Sequence, residues 1–238
     1  MTQAQLKPSG SVQNPLIKMQ GITKIFKSGA GEFKALDDIN LDFYGGDFAG
    51  IIGKSGSGKS TLANMITGID HPSRGNVEID GQVINKMDES QMSIWRGNNL
   101  GIVFQFYQLL PMLTLLENVI LPMDFCNRFE VPEREQRARE LLTLVGLQDF
   151  MDKLPNMTSG GQQQSAAIAR ALANDPPIMI ADEPTGNLDT QSAESIFDLF
   201  CHLADQGKTI IMVTHDPTLV VRTNRIIKLQ DGKIVSEN

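Results

Sequence analysis

The chain has 238 residues with 28 acidic against 21 basic side chains, a net charge of −7 that offers no general basic field for following a nucleic-acid backbone, so no nucleic-acid partner is expected. Two distant cysteines, Cys126 and Cys201, without any Cys/His metal spacing argue against a disulfide frame and against zinc. There is no apolar run near the roughly 18 residues of a membrane helix and no charged-then-apolar leader, so the expectation is a chain that another protein must hold at any membrane where it works. In chain order, residues 1–15, with their Gln, Ser, Gly and Pro content, read as a flexible tail, leaving 16–238 as one domain. Residues 16–26 and 35–43 carry β-type side chains, with Ile39, Leu41 and Phe43 alternating, and the Gly-rich stretch 27–32 turns between them. An antiparallel sheet is thus laid down before the next motif.

Residues 48–52 then form a short apolar strand that runs into Gly53-Lys54-Ser55-Gly56-Ser57-Gly58-Lys59-Ser60, and a helix leaves from Thr61. The G-x-x-x-x-G-K-[ST] spacing has the strand, loop and helix that its mechanism needs. Glycines let successive N–H groups face one concavity, and the helix adds its unpaired amides and positive end. A di- or triphosphate fits there, with Lys59 expected to reach the β and γ phosphates and the Ser60 hydroxyl to hold Mg²⁺. Gly53, Ser55, Gly56, Ser57, Gly58 and Thr61 complete the phosphate-binding stretch. Phe26, on the strand before the loop, is either core or a ring that stacks on a bound purine.

Beyond the first helix, 72–75 is a turn, 76–84 a hairpin about Asp80-Gly81, 88–96 a helix, and 101–104 a brief buried strand ending at Gln105. Residues 106 to about 159 read as a helical insertion, with an amphipathic helix over 133–147 that turns Ala138, Leu141, Leu142 and Val145 to one side. Its apolar excess is either internal packing or a groove for a partner's helix. Ser159 is placed to cap a helix over 163–172. The intervening Gly160 and Gly161 are poor helix formers, consistent with an ordinary turn or with backbone that closely approaches another phosphate. A strand over 178–181 ends at Asp182-Glu183, where Asp182 suits a water-mediated Mg²⁺ ligand and Glu183 a base. The loop 185–190 contains Gly186 and Asp189, and the helix 191–204 carries Ile196, Leu199, Phe200 and Leu203 as its core stripe. A strand over 209–213 delivers His215, so Gln105, Asp182 and His215 all stand at the edge where an α/β sheet binds ligands. A hairpin about Asp231-Gly232 closes the domain.

Taken together, from Leu16 to Val235 these motifs resemble the nucleotide-binding subunit of ATP-binding-cassette transporters. The resemblance implies an α/β fold: a P-loop NTPase (RecA-like) core with an N-terminal antiparallel β subdomain and an inserted helical subdomain. It implies Mg-dependent ATP hydrolysis, with ATP and Mg²⁺ as cofactors, Phe26 as the adenine-stacking ring, Gln105 as the sensing glutamine and metal neighbour, Glu183 as the catalytic carboxylate and His215 as the switch. It further implies that Ser159, Gly160, Gly161 and Gln162 contact the γ phosphate held by a second copy, with Asp189 in the loop that crosses between copies. The run from Phe104 to Pro111, Glu117-Asn118-Val119, and the stretch from Ala181 to Asp189 are similar to the branch containing macrolide exporters, lipoprotein-releasing ATPases and the cell-division cassette protein. That branch implies an integral membrane permease partner and a place on the cytoplasmic face of the inner membrane. The alternative is a soluble, non-transport cassette ATPase acting on a macromolecule; such relatives generally carry two cassettes or a long coiled-coil insertion. Three positions depart from the pattern: Thr158 stands where leucine is favoured, Ser165 where arginine is usual, and Phe26 where tyrosine is more frequent.

Overall fold

The computed structural model describes residues 14–29 and 31–238, so residues 1–13 of the expected tail lie outside the described residues. Alternating apolar positions pair β1 (Ile17–Ser28) with β2 (Gly31–Phe43) in antiparallel fashion. Ile39, Leu41 and Phe43 are buried on one face while Asn40 is exposed, as the two-residue strand period requires. The pairing continues through Phe26↔Phe33 to Ser28↔Gly31, so most of the stretch expected as a turn is strand. The apolar β3 (Phe48–Ile52) follows, then the phosphate loop and α1 (Lys59–Thr67). β4 (Arg74–Ile79) and β5 (Gln82–Val83) complete the first sheet, ordered β2-β1-β4-β5.

The second sheet is assembled from the rest. After α2 (Glu89–Asn99), capped by Asp88, comes β6 (Leu100–Val103). The helical insertion follows, with α3 (Leu115–Phe125), α4 (Val131–Leu144) and α5 (Gly160–Ala171). Then come β7 (Ile178–Asp182), α6 (Thr190–Asp205), β8 (Thr209–Thr214), the short α7 (Pro217–Val220), β9 (Arg225–Gln230) and β10 (Lys233–Glu237). The order is β10-β9-β3-β8-β7-β6, with β6, β7, β8, β3 and β9 parallel and β10 antiparallel at the edge. This is the P-loop, RecA-like α/β core with an N-terminal antiparallel sheet and an inserted helical subdomain.

Two apolar layers hold it together. One joins the first sheet, α1 and α2 to a face of the central sheet through Leu36, Ile51, Leu62 and Val213. The other joins the opposite face to the insertion and α6 through Phe48, Leu116, Leu142, Ile168 and Phe200. Local details differ from the sequence pattern. α4 starts two residues earlier than expected, with Glu133 accepting the Glu130 amide at its first turn, and it ends before Gly146, whose φ of 75° cannot continue a helix. Val145 therefore sits just past the helix and is only half-buried. On α6 both rings, Phe197 and Phe200, are fully buried, Phe197 stacked 5.6 Å from Phe48, whereas Leu199 is half-buried. Ile196, Phe197, Phe200 and Leu203 follow the i, i+1, i+4, i+7 stripe that one helix face allows. α5 packs on both α3 and α4, so the helical layer runs on past residue 159.

One polar side chain organises the segment that leads into α3. Asn118, fully buried, accepts the Leu110 amide at 2.7 Å and donates to the carbonyls of Leu110, Leu113 and Thr114 at 3.1, 3.0 and 2.9 Å. Buried backbone groups without partners are costly. Asn118→Ala is therefore expected to destabilise the protein by about 2–3 kcal/mol; an unchanged urea midpoint would contradict this anchoring.

Candidate active site

The start of α1 differs from those of α2, α3, α5 and α6. Asp88, Thr114, Ser159 and Asp189 cap α2, α3, α5 and α6 with side-chain oxygens, but no side chain caps α1. Its first amides face the loop and remain open to an anion. Gly58, the residue before α1, has a φ of 102°, and a Cβ there would lie 2.5 Å from the Ala35 carbonyl, so both conformation and space demand glycine. Lys59 is buried, and its Nζ donates to the carbonyls of Gly53 at 2.9 Å and Lys54 at 3.2 Å, which keeps a positive charge inside the loop. The donor set and the curl fit a bound polyphosphate.

Parallel strands bring the remaining groups to the same edge. β7 ends at Asp182, whose Oδ1 accepts the Ser60 hydroxyl at 3.2 Å. This hydroxyl–carboxylate pair beside the loop suits Mg²⁺, held by Ser60 and, through water, by Asp182. Burial pushes the Asp182 carboxyl above its ordinary range; the Ser60 hydroxyl opposes that shift, the Glu183 charge adds to it, and the Lys59 charge opposes it. Glu183 leaves the strand in the left-handed region, with φ of 50°, its amide donating to the Val213 carbonyl at 2.8 Å. That conformation is unusual away from glycine and turns the side chain across the strand ends. Glu183 Oε2 lies 2.6 Å from His215 Nδ1 and accepts the His215 amide at 3.3 Å, while Oε1 is 4.0 Å from Lys59 Nζ.

Apart from Asp182, which stands behind Ser60, these groups border a cleft of about 420 Å³. Ser55, Gly56, Gly58, Lys59, Ser60 and Thr61 form its loop side, Gln105, Glu183 and His215 its strand-end side, and Phe26 its far end. Gly53 and Ser57 stand behind the lining: Gly53 through its carbonyl on Lys59, and Ser57 buried beneath the loop. The cleft is also lined by Phe33 and Ala35, which the sequence reading missed because it ended the first hairpin too early; Phe33 is the cross-strand partner of Phe26.

Ser159, Gly160, Gly161, Gln162 and Asp189 do not line this cleft. Ser159 and Gln162 instead form a reciprocal cap: the Gln162 amide donates to Ser159 Oγ at 3.3 Å, and the Ser159 amide to Gln162 Oε1 at 2.9 Å. Close packing explains part of the need for glycine here. A Cβ on Gly160 would come within 2.7 Å of the Tyr107 hydroxyl, and one on Gly161 within 2.9 Å of Ser192 Oγ. Ser192 in turn donates its hydroxyl to Asp189 at 2.7 Å and its amide at 3.0 Å, bonds that hold the Asp189 carboxyl below its ordinary range. The segment 159–162 and Asp189 are thus neighbours on one surface.

An uncapped helix behind a glycine loop, with a lysine inside it and carboxylates on the adjacent strand end, defines a P-loop nucleoside-triphosphate hydrolase. A family model described as ABC transporter matches residues 36–186, and the chain belongs to that family. It is an ATP-binding and ATP-hydrolysing subunit of the family. It is 45% identical over 92% of its length to an uncharacterised ABC transporter ATP-binding protein of Thermotoga maritima, covering 93% of that protein. It is 41% identical over 94% of its length to the macrolide export ATP-binding/permease protein MacB of Photorhabdus laumondii, of which it covers 35%. Among solved structures, the dimeric post-hydrolysis state of the ATP-binding cassette MJ0796, a protein of Methanocaldococcus jannaschii, bound to ADP and Pi is similar, with a TM-score of 0.88, 43% identity, and coverage of 93% of this chain and 97% of that one.

The buried carboxylate gives a test of the site's electrostatics. Because folding raises the Asp182 pKa above 3.8, the stability it allows at low pH is lost as pH rises through the folded value and the buried group ionises. Asp182→Asn keeps an acceptor for Ser60 and removes the charge. It is expected to raise the thermal midpoint of the nucleotide-free, Mg-free protein at pH 7, with the gap to the parent closing as pH falls toward 4. An equal or lower midpoint at pH 7 would contradict the assignment.

Proposed function

We propose that two copies of this chain pair head to tail over ATP, each lending its cleft to one site and its 159–162 segment to the other, and that this closure drives a separate membrane-embedded permease on the cytoplasmic face of the inner membrane. The observation that carries this reading is the division of groups within one chain: Lys59, Gln105, Glu183 and His215 converge on the cleft, whereas Ser159 and Gly161 lie outside it. A surface that carries a helix start and an adjoining Asp189 needs its phosphate from elsewhere, and a second cleft supplies one. The dimeric MJ0796 cassette supports the arrangement, and the export ATP-binding/permease protein MacB supports both the permease partner and a place in the macrolide-exporter branch.

In this mechanism Lys59 and the α1 amides balance charge on the β and γ phosphates. Ser60 and the more distant Asp182 would hold Mg²⁺, which when bound supplies positive charge to the phosphate oxygens. Glu183, with one oxygen fixed by His215, orients the attacking water through the other and takes its proton as the new O–P bond forms and the bond to the ADP oxygen breaks. His215 stabilises the transferring group. Gln105 stands where the cleft meets the insertion, so occupancy of the γ position can be felt by the helices.

The shared site is tested by mixing variants. Ser159→Asp keeps an N-cap oxygen but sets a negative charge against the γ phosphate, and Lys59→Ala removes the loop cation. Each variant alone is expected to lose at least about 90% of ATPase activity, the scale of losing a transition-state interaction. Mixed, they form pairs with one doubly defective and one intact site, so activity should return. A site built within one chain gives no recovery.

The permease is expected to dock in an apolar groove of about 620 Å³ between α2, α3 and α5, where Ile94, Leu110 and Phe125 are exposed. Phe106 and Met112, on the loop before α3, are exposed as well. Ile94→Lys and Phe125→Lys are expected to preserve folding and basal ATPase while removing the chain from the solubilised membrane complex. Undiminished recovery with the membrane partner rejects the groove as the docking face.

A further inference from the structure

The far end of the cleft holds two rings where the motif pattern supplies one. Phe26 and Phe33 are directly opposed residues of β1 and β2, so their side chains leave the same face of the hairpin. Both line the cleft, together with Ala35, the extra residue of β2 where the register shifts between Lys34 and Leu36. Both rings are open to solvent, Phe26 at 44% and Phe33 at 60%, and among the described residues they make no ring-to-ring contact with one another. Lys24, two residues before Phe26, sets its ammonium 5.0 Å from that ring's centroid, pinned by Asp70 at 2.6 Å and the His71 carbonyl at 2.8 Å. Phe26 is therefore held from its own strand, and Phe33, the more exposed ring, stands opposite it on β2. An exposed aromatic pair and a phosphate loop lining one cleft offer the two surfaces a nucleotide needs: donors for its phosphates and apolar faces for its base.

We propose that Phe33 is a second nucleobase-binding residue, forming with Phe26 an aromatic clamp on the β1–β2 hairpin. Phe26 supplies one apolar surface for the base, and Phe33 covers a side that would otherwise stay in water. Aromatic packing against a planar base gains both buried area and ring-to-ring attraction. The three side chains at this end, Phe26, Phe33 and Ala35, carry no polar atom, so the clamp reads the flat surface of the base and not its hydrogen-bonding edge. The inference rests on the nucleotide reading of the cleft and adds to it the residue that recognises the base.

Equilibrium binding to the full chain, with Mg-ATP and with Mg-tripolyphosphate as a base-free probe, tests it. Phe33→Ala and Phe33→Leu should each weaken ATP binding by about threefold to tenfold, the scale of one aromatic contact. Neither should change tripolyphosphate binding, and Phe33→Tyr should restore ATP affinity. The leucine variant keeps apolar bulk on the hairpin, so a loss shared by both variants, with unchanged thermal midpoints in the absence of ligand, reports the ring itself. ATP affinity unchanged in Phe33→Ala, or tripolyphosphate weakened as much as ATP, overturns the clamp and leaves the phosphate site standing. A parent protein that binds tripolyphosphate and ATP equally overturns base recognition as a whole, and one that binds neither overturns the nucleotide reading with it.

Discussion

The phosphate loop is a tightly curled piece of backbone, and the rest of the structure is arranged to hold its curl. Gly58 packs against the Ala35 carbonyl of β2, and Gly53 stands against the backbone of Leu229 at the end of β9. The β9–β10 turn closes the frame: the Gly232 amide donates to the Ser57 carbonyl at 3.0 Å, and the Asp37 amide to the Gly232 carbonyl at 2.9 Å. The loop is thus wedged between two hairpins that are distant in the chain. From within, Lys59 bonds two of the loop's own carbonyls. This frame keeps amides aimed into the cleft before any phosphate arrives, and preorganised donors lose less on binding than a loop that must first be ordered.

The second constraint lies at the strand ends. Parallel pairing of β6, β7 and β8 sets Gln105, Asp182, Glu183 and His215 at the exits of neighbouring strands, with no helix needed to bring them together. The left-handed Glu183 breaks the strand path and turns its carboxylate toward His215. Such strain persists only where surrounding bonds over-determine it, and the Glu183 amide on Val213 with the Gly186 amide on the Glu183 carbonyl does so here.

The cleft is tied to the insertion through the same kind of geometry. Tyr107 and Gln108, just after Gln105, have φ of 39° and 52°, and the Arg170 guanidinium donates to both of their carbonyls, at 2.8 and 2.5 Å. Burial holds the Arg170 pKa below its ordinary value, consistent with a guanidinium enclosed by this backbone. The Tyr107 ring meanwhile reaches the Gly160 end of α5. One loop therefore touches the start of α5 through Tyr107 and its last turn through Arg170. Gln105 thus lies two residues from a loop held against both ends of the helix whose first residues, Ser159 to Gln162, are proposed to meet the partner's phosphate.

The sequence alone was enough for whatever depends on local chemistry. The glycine spacing with Lys59 and Ser60 marks the loop, Asp182-Glu183 after an apolar run marks a strand end, and Ser159 before an Ala-rich run marks a helix cap; each works through neighbours a few residues apart. Three features were decided only by the tertiary structure. Phe33 reached the cleft because β1 and β2 stay paired to Ser28 and Gly31, and that register is set by contacts across the sheet. Phe197 joined the α6 core face, leaving Leu199 at its half-buried margin, because Phe48, far away in the chain, offered a ring to pack on. Tyr107 and Ser192, from two other segments, crowd the paired glycines of α5. A pattern in one stretch of chain reports which face or cap that stretch can form, but which distant side chain fills the space beside it is settled only when close-packed elements share one volume.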